Sequence, residues 1–114
     1  MSSILKEMYS KCVSQENDIS KEIAKIIDNL YPIDTIDRVK QKIKEKLENY
    51  SNSIELLKSS IETAKISNND KDIWRKKTEF FFDSRKNLNK RLEDSVYIMG
   101  IINLDIFFQY IKVF

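Results

Sequence analysis

The stretch IDRVKQKIKEKLENYSNSIELLKSSIETA, residues 36–64, decides the fold. Within it Ile36, Val39, Ile43, Leu47, Tyr50, Ile54, Leu57, Ile61 and Ala64 follow one another by steps of three and four. An α-helix brings residues at that spacing onto one face, whereas a strand would alternate with period two. The seam lasts about four heptads, so the middle of the chain reads as one long amphipathic helix.

Working outward, Leu5, Met8, Cys12, Gln15, Ile19, Ile23, Ile26 and Leu30 form a second seam of the same period. It stops ahead of Tyr31-Pro32-Ile33-Asp34. Proline disfavours helix in the residue before it and has no amide to donate, so the first helix is expected to end near Leu30 or Tyr31. Asp34 or Thr35 is then placed to cap the second helix. On the other side, Ser67-Asn68-Asn69-Asp70 is a run whose side chains compete for backbone hydrogen bonds, which marks a turn capped by Asn69 or Asp70. A third stripe comes next in Trp74, Thr78, Phe81, Arg85, Leu88, Leu92 and Ser95 or Val96. The fold class expected is therefore all-α: an antiparallel up-down-up three-helix bundle over residues 1–95, because short connections make sequential helices antiparallel neighbours. Helices of roughly 25 to 30 residues would each be about 40 Å long.

Residues 96–114 change character, with almost all charge gone, and read as a short apolar C-terminal tail. The tail has nearly the length of a membrane span. Asn103, Asp105, Gln109 and Lys112 interrupt it, however, and a central Asp costs about 2.5 to 3.5 kcal/mol on insertion. A segment folded back on the bundle, a self-association segment, a membrane anchor and a reading past the natural end of an exon are the alternatives left open.

Composition excludes several classes. One Gly and one Pro in 114 residues argue against sheet folds, which need many tight turns, and Gly100 standing alone rules out a phosphate-cradling glycine loop. Twenty Lys and Arg face eighteen Asp and Glu, a net charge of +2 with the signs interspersed, which points away from nucleic acid. The run from Arg38 to Lys46 spreads its cations around a solvated helix side.

The chain has no His and one Cys, so neither a general base, a zinc site nor an internal disulfide is expected. No enzyme activity, cofactor or metal is expected. Cys12 reads as a small buried hydrophobe. The acidic pairs Asp18 with Glu22 and Glu79 with Asp83 flank the seams as solvated surface, and lack the Glu-x-x-His of di-iron bundles. Gln15 and Arg85 are polar residues on apolar stripes, which snorkel or find partners. Three adjacent aromatics, Phe80, Phe81 and Phe82, cannot all face one core. Trp74 and Phe82 are accordingly the two candidate partner contacts.

Two of these stretches carry a resemblance. Ser53-Ile54-Glu55-Leu56-Leu57-Lys58-Ser59-Ser60-Ile61-Glu62-Thr63-Ala64 resembles the middle helix of the N-terminal domain of the syntaxin-6 group of target-membrane SNARE proteins. Phe81-Phe82-Asp83-Ser84-Arg85-Lys86-Asn87-Leu88 resembles the next helix in that family. The resemblance covers most of residues 1–95 and implies a three-helix bundle acting as a non-catalytic, protein-binding regulatory domain. It further implies vesicle trafficking and membrane fusion between endosomes and the trans-Golgi network, on the cytosolic face of Golgi or endosomal membranes. The implied partners are other SNARE or tethering proteins. Membrane association would come through a SNARE helix and anchor that succeed the bundle in the family and are not recognisable after Ser95. The competing reading is a helical oligomerisation or adaptor protein that assembles through its heptad seams and the apolar tail.

Overall fold

The computed structural model describes residues 3–29 and 31–113, so Leu30, at the end of the first seam, and Phe114, at the end of the apolar stretch, lie outside the described residues. Three helices account for nearly all of it: α1 (Ser3–Asp28), α2 (Ile33–Thr63) and α3 (Asn68–Val113). Among the described residues there is no strand. All three helices touch one another, and the protein is a three-helix bundle.

The core is built on the seams read from the sequence and, on α3, extends past the third stripe to Met99, inside the stretch read as a tail. Leu5, Cys12, Ile19, Ile23 and Ile26 of α1 meet Ile36, Ile43, Leu47, Tyr50, Ile54, Leu57 and Ile61 of α2 and Trp74, Phe81, Leu88, Leu92 and Met99 of α3. Burying a side chain of this size stabilises by about 1.5 to 3 kcal/mol, so this set is the main favourable term in folding. Polar pairs lie along the edges and run in a consistent numerical order. Between α1 and α2, Asp18 meets Lys46 at 2.9 Å and Glu16 accepts from Tyr50 at 3.4 Å. Between α2 and α3, Glu62 meets Arg75 at 2.7 Å and Lys40 meets Glu93 at 3.2 Å. Between α1 and α3, Tyr9 packs on Trp74 and Ser20 accepts from Arg91. Exposed pairs of this kind contribute little each and chiefly align the helices.

The corners differ from the expected caps. Helix α2 begins at Ile33, with Pro32 at the N-cap, extended at φ −60° and ψ 157° and making no side-chain cap bond. Pro32 serves there because its carbonyl accepts from the amides of Thr35 and Ile36, and a cap residue needs no amide of its own. Asp34 lies within the first turn, where its Oδ1 accepts from the Thr35 amide at 3.0 Å. At the second corner the cap is Ser67, whose Oγ accepts from the Asp70 amide at 3.1 Å, so the helix opens ahead of Asn69 and Asp70.

The larger difference is at the end of α3. No break comes after Ser95: the helix runs on to Val113 over 46 residues, so the apolar stretch is the helix's own end and not a separate tail. Residues 96–113 contain no Pro and no cluster of turn-forming side chains, and Gly100 alone, costing about 0.5 to 1 kcal/mol in a helix, does not stop it. A helix of that length spans about 69 Å, which accounts for the molecule's 72 Å long axis. The α1–α2 corner lies beside Asn103, whose Nδ2 donates to the Tyr31 carbonyl at 3.3 Å and to the Met99 carbonyl at 2.8 Å. Beyond Asn103, α3 overhangs the bundle.

Candidate interaction surfaces

At the centre of the aromatic cluster Phe81 is fully buried, edge-on to Tyr9 at 5.2 Å, Tyr50 at 6.3 Å and Phe80 at 5.7 Å. Its heptad position explains this, since it is the one member of the Phe80–Phe82 triplet that points along the α3 seam. Trp74, two turns earlier, is only 5% exposed and packs edge-on against Tyr9 at 6.1 Å, with the Lys77 ammonium 4.9 Å above its ring. A shallow groove of about 350 Å³ runs beside it between α1 and α3, lined by Lys6, Tyr9, Asp70, Ile73, Trp74 and Lys77. The tryptophan lines that groove, but nearly all of its surface is spent on the core.

Phe82 occupies a different place, half-buried on the α2–α3 side. The Lys58 ammonium stands 5.4 Å from its ring centroid and the Arg85 guanidinium 5.5 Å, both within cation–π range. Arg85 also donates to Ser51 Oγ at 2.6 Å and lies 4.0 Å from Glu55. The polar residue on the third stripe thus finds partners on α2 instead of entering the core. Trp74 and Phe82 are not brought together: one belongs to the α1–α3 side and the other to the α2–α3 side. Phe80, the most exposed of the triplet at 56%, lies on the α1–α3 side with Glu16, Ser20 and Arg91.

Gln15, the polar residue on the first seam, leaves its Oε1 buried without a hydrogen-bond partner. Cys12 is buried as expected, and burial pushes its thiol above the ordinary range, which disfavours the nucleophilic thiolate. Asp18 and Glu22 pair with Lys46 and Lys25. Among the described residues no three His, Cys, Asp or Glu side chains gather where a metal ion could be held.

The third surface was the least legible in the sequence. Around the α3 overhang, Leu104, Ile106, Phe107, Phe108, Tyr110 and Ile111 are each more than half exposed, as are Tyr97 and Ile101 just before it. An open groove of about 500 Å³ sits where the overhang leaves the bundle, lined by Pro32, Asp34, Gly100, Asn103, Leu104 and Phe107. The signal that could have located this surface is a heptad stripe, Tyr97-Ile101-Leu104-Phe108-Ile111, with steps of four and three. It is masked because apolar residues also occupy neighbouring positions, which flattens the contrast between faces. No helix among the described residues is long and apolar enough to cross a membrane.

Compared with known proteins, the chain matches no protein-family model, no curated protein and no solved structure.

Proposed function

We propose that this protein is a non-catalytic, protein-binding regulatory bundle of the syntaxin-6 kind, an antiparallel up-down-up arrangement serving vesicle trafficking between endosomes and the trans-Golgi network. The orientation is supported by the order of the edge pairs. Residue numbers rise on α1 as they fall on α2, and fall on α2 as they rise on α3, while α1 and α3 rise together. The observation that carries the functional reading is the juxtaposition of residues 53–64 and 81–88, the two stretches with the family resemblance. They lie side by side across α2 and α3, joined by Lys58 and Arg85 on Phe82 and by Arg85 near Glu55. Their shared face presents a half-buried aromatic under two long cationic side chains, a combination that suits an acidic, partly apolar partner helix. Other SNARE helices and tethering subunits, on the cytosolic face of Golgi or endosomal membranes, are the partners this reading names.

The test is calorimetric titration of the purified chain with a panel of SNARE helices and tethering subunits. Phe82→Ala should abolish binding with helical content unchanged by circular dichroism. Trp74→Ala should lower stability by about 3 to 5 kcal/mol, the cost of removing a large core ring. Absence of binding to every member of the panel would remove the trafficking reading.

A second reading, a helical assembly protein, is favoured by one specific observation: the ring of exposed apolar side chains on the α3 overhang. A monomer's largest apolar patch is about 300 to 600 Å². Six side chains stand more than half exposed within residues 104–111, about two turns of helix, and the three aromatic ones, each of about 150 to 250 Å², by themselves bring the patch to that range.

A further inference from the structure

The α3 overhang has a definite pattern. Leu104, Phe108 and Ile111 continue the outward stripe of Tyr97 and Ile101, all between 51% and 71% exposed. On a helical projection Asp105 and Lys112 fall together along one edge of that stripe, one heptad apart, and Phe107 flanks the other edge. The overhang begins where the α1–α2 corner ends, beside Asn103, and residues 104–112 are exposed along about 14 Å of helix.

We propose that this overhang is a homodimerisation element, in which two copies pair end to end with their α3 overhangs antiparallel. The inference rests on the assembly reading and sets its register by charge. In an antiparallel pair, the edge residues of one helix face the same edge of the other in reverse order. Sliding the helices until Asp105 of one copy meets Lys112 of its partner forms two symmetric ion pairs at once. The two-fold axis then lies between Phe108 and Gln109. In that register Leu104 packs near the partner's Ile111, Ile111 near the partner's Leu104, and the two Phe108 rings meet at the centre.

Two alternatives are disfavoured by the same residues. A parallel pair would set Asp105 and Lys112 against the opposite edge, where Gly100 and Phe107 offer no charge. An antiparallel pair slid by one heptad would bring the two Asp105 carboxylates together, and like charges at an interface are costly. The area suffices for a small interface. On the pairing face Leu104, Phe107, Phe108 and Ile111 are each just over half exposed, so the interface is smaller than the roughly 600 Å² per partner at the low end of specific interfaces and the dimer is a weak one. Because only the overhangs meet, the two bundles point away from each other and do not collide.

The experiment is light scattering and sedimentation of the full chain from about 1 to 200 µM at physiological salt. The expected result is a mass rising from 13.6 kDa toward twice that value with a micromolar midpoint. Phe108→Asp should keep the chain monomeric throughout, and its exposure means that helical content and melting stay unchanged. Lys112→Asp should weaken the dimer roughly tenfold or more by setting carboxylates against each other, and the double variant Asp105→Lys/Lys112→Asp should restore it. A chain that stays monomeric at the highest concentration overturns both this proposal and the assembly reading. A dimer insensitive to Phe108→Asp, or one that the double charge reversal fails to rescue, keeps assembly and overturns this register. A monomer that floats with phosphatidylcholine vesicles assigns the surface to lipid and overturns the proposal.

Discussion

Tyr50 shows how one side chain links packing to pH. It sits on the α2 seam with no exposed surface, edge-on to Phe81, and reaches Glu16 with its hydroxyl at 3.4 Å. Burial, more than any neighbour, pushes its phenol up to about 12. The unfolded chain ionises this group near pH 10 while the folded chain holds it neutral, so stability is intact below about pH 10 and falls as pH rises through 12. The difference amounts to about 2 kcal/mol at the upper end. Melting measured from pH 9 to 12 should therefore show a decline that Tyr50→Phe reduces, and an identical slope in the variant would place the loss elsewhere. Gln15 is the counterpart on α1, a buried acceptor left without a partner, and its cost of about 1 to 3 kcal/mol is one the rest of the core must offset.

At the scale of elements, the helices end where local chemistry is strongest. Pro32 forces the first corner, and Ser67 caps α3 through its hydroxyl. Ser67→Ala should lower stability by about 1 kcal/mol, measured by urea unfolding, because it frees an amide of the first turn. No change would mean that water or Asn68 serves equally well. The third helix shows where such signals run out. Its seam of Leu88, Leu92 and Met99 is buried, yet Ile106 and Tyr110, which continue the same face, are exposed because α1 ends and α2 begins at the level of Asn103. Nothing in residues 96–113 alone distinguishes a buried heptad position from an exposed one.

For the whole molecule, a rod of 72 × 18 × 17 Å leaves each core residue only one layer from solvent, so stability comes from the length of the seams. Cys12, buried between the helices and with its thiol pushed up by that burial, reports on this directly. Its reaction with a thiol reagent should track global unfolding, with rates that rise in step with denaturant. Rapid labelling of the native chain would reveal that α1 opens independently of α2 and α3.

The sequence by itself determined the three seams and the two corners, because helical period and turn chemistry are local properties, carried by residues a few positions apart. Ile54, Leu57 and Phe81 could be placed in the core without any coordinates. It also separated Phe81 from its two neighbours by angle alone. What only the tertiary structure decided depends on which surfaces other segments cover. Trp74 lies in the core because Tyr9 reaches it, and Phe82 lies under Lys58 and Arg85 because α2 and α3 meet there. The final stretch of α3 is exposed because the α1–α2 corner stops beside Asn103, and among the described residues no other segment reaches past it to cover residues 104–112. Burial is a relation between distant segments, and no residue states it alone.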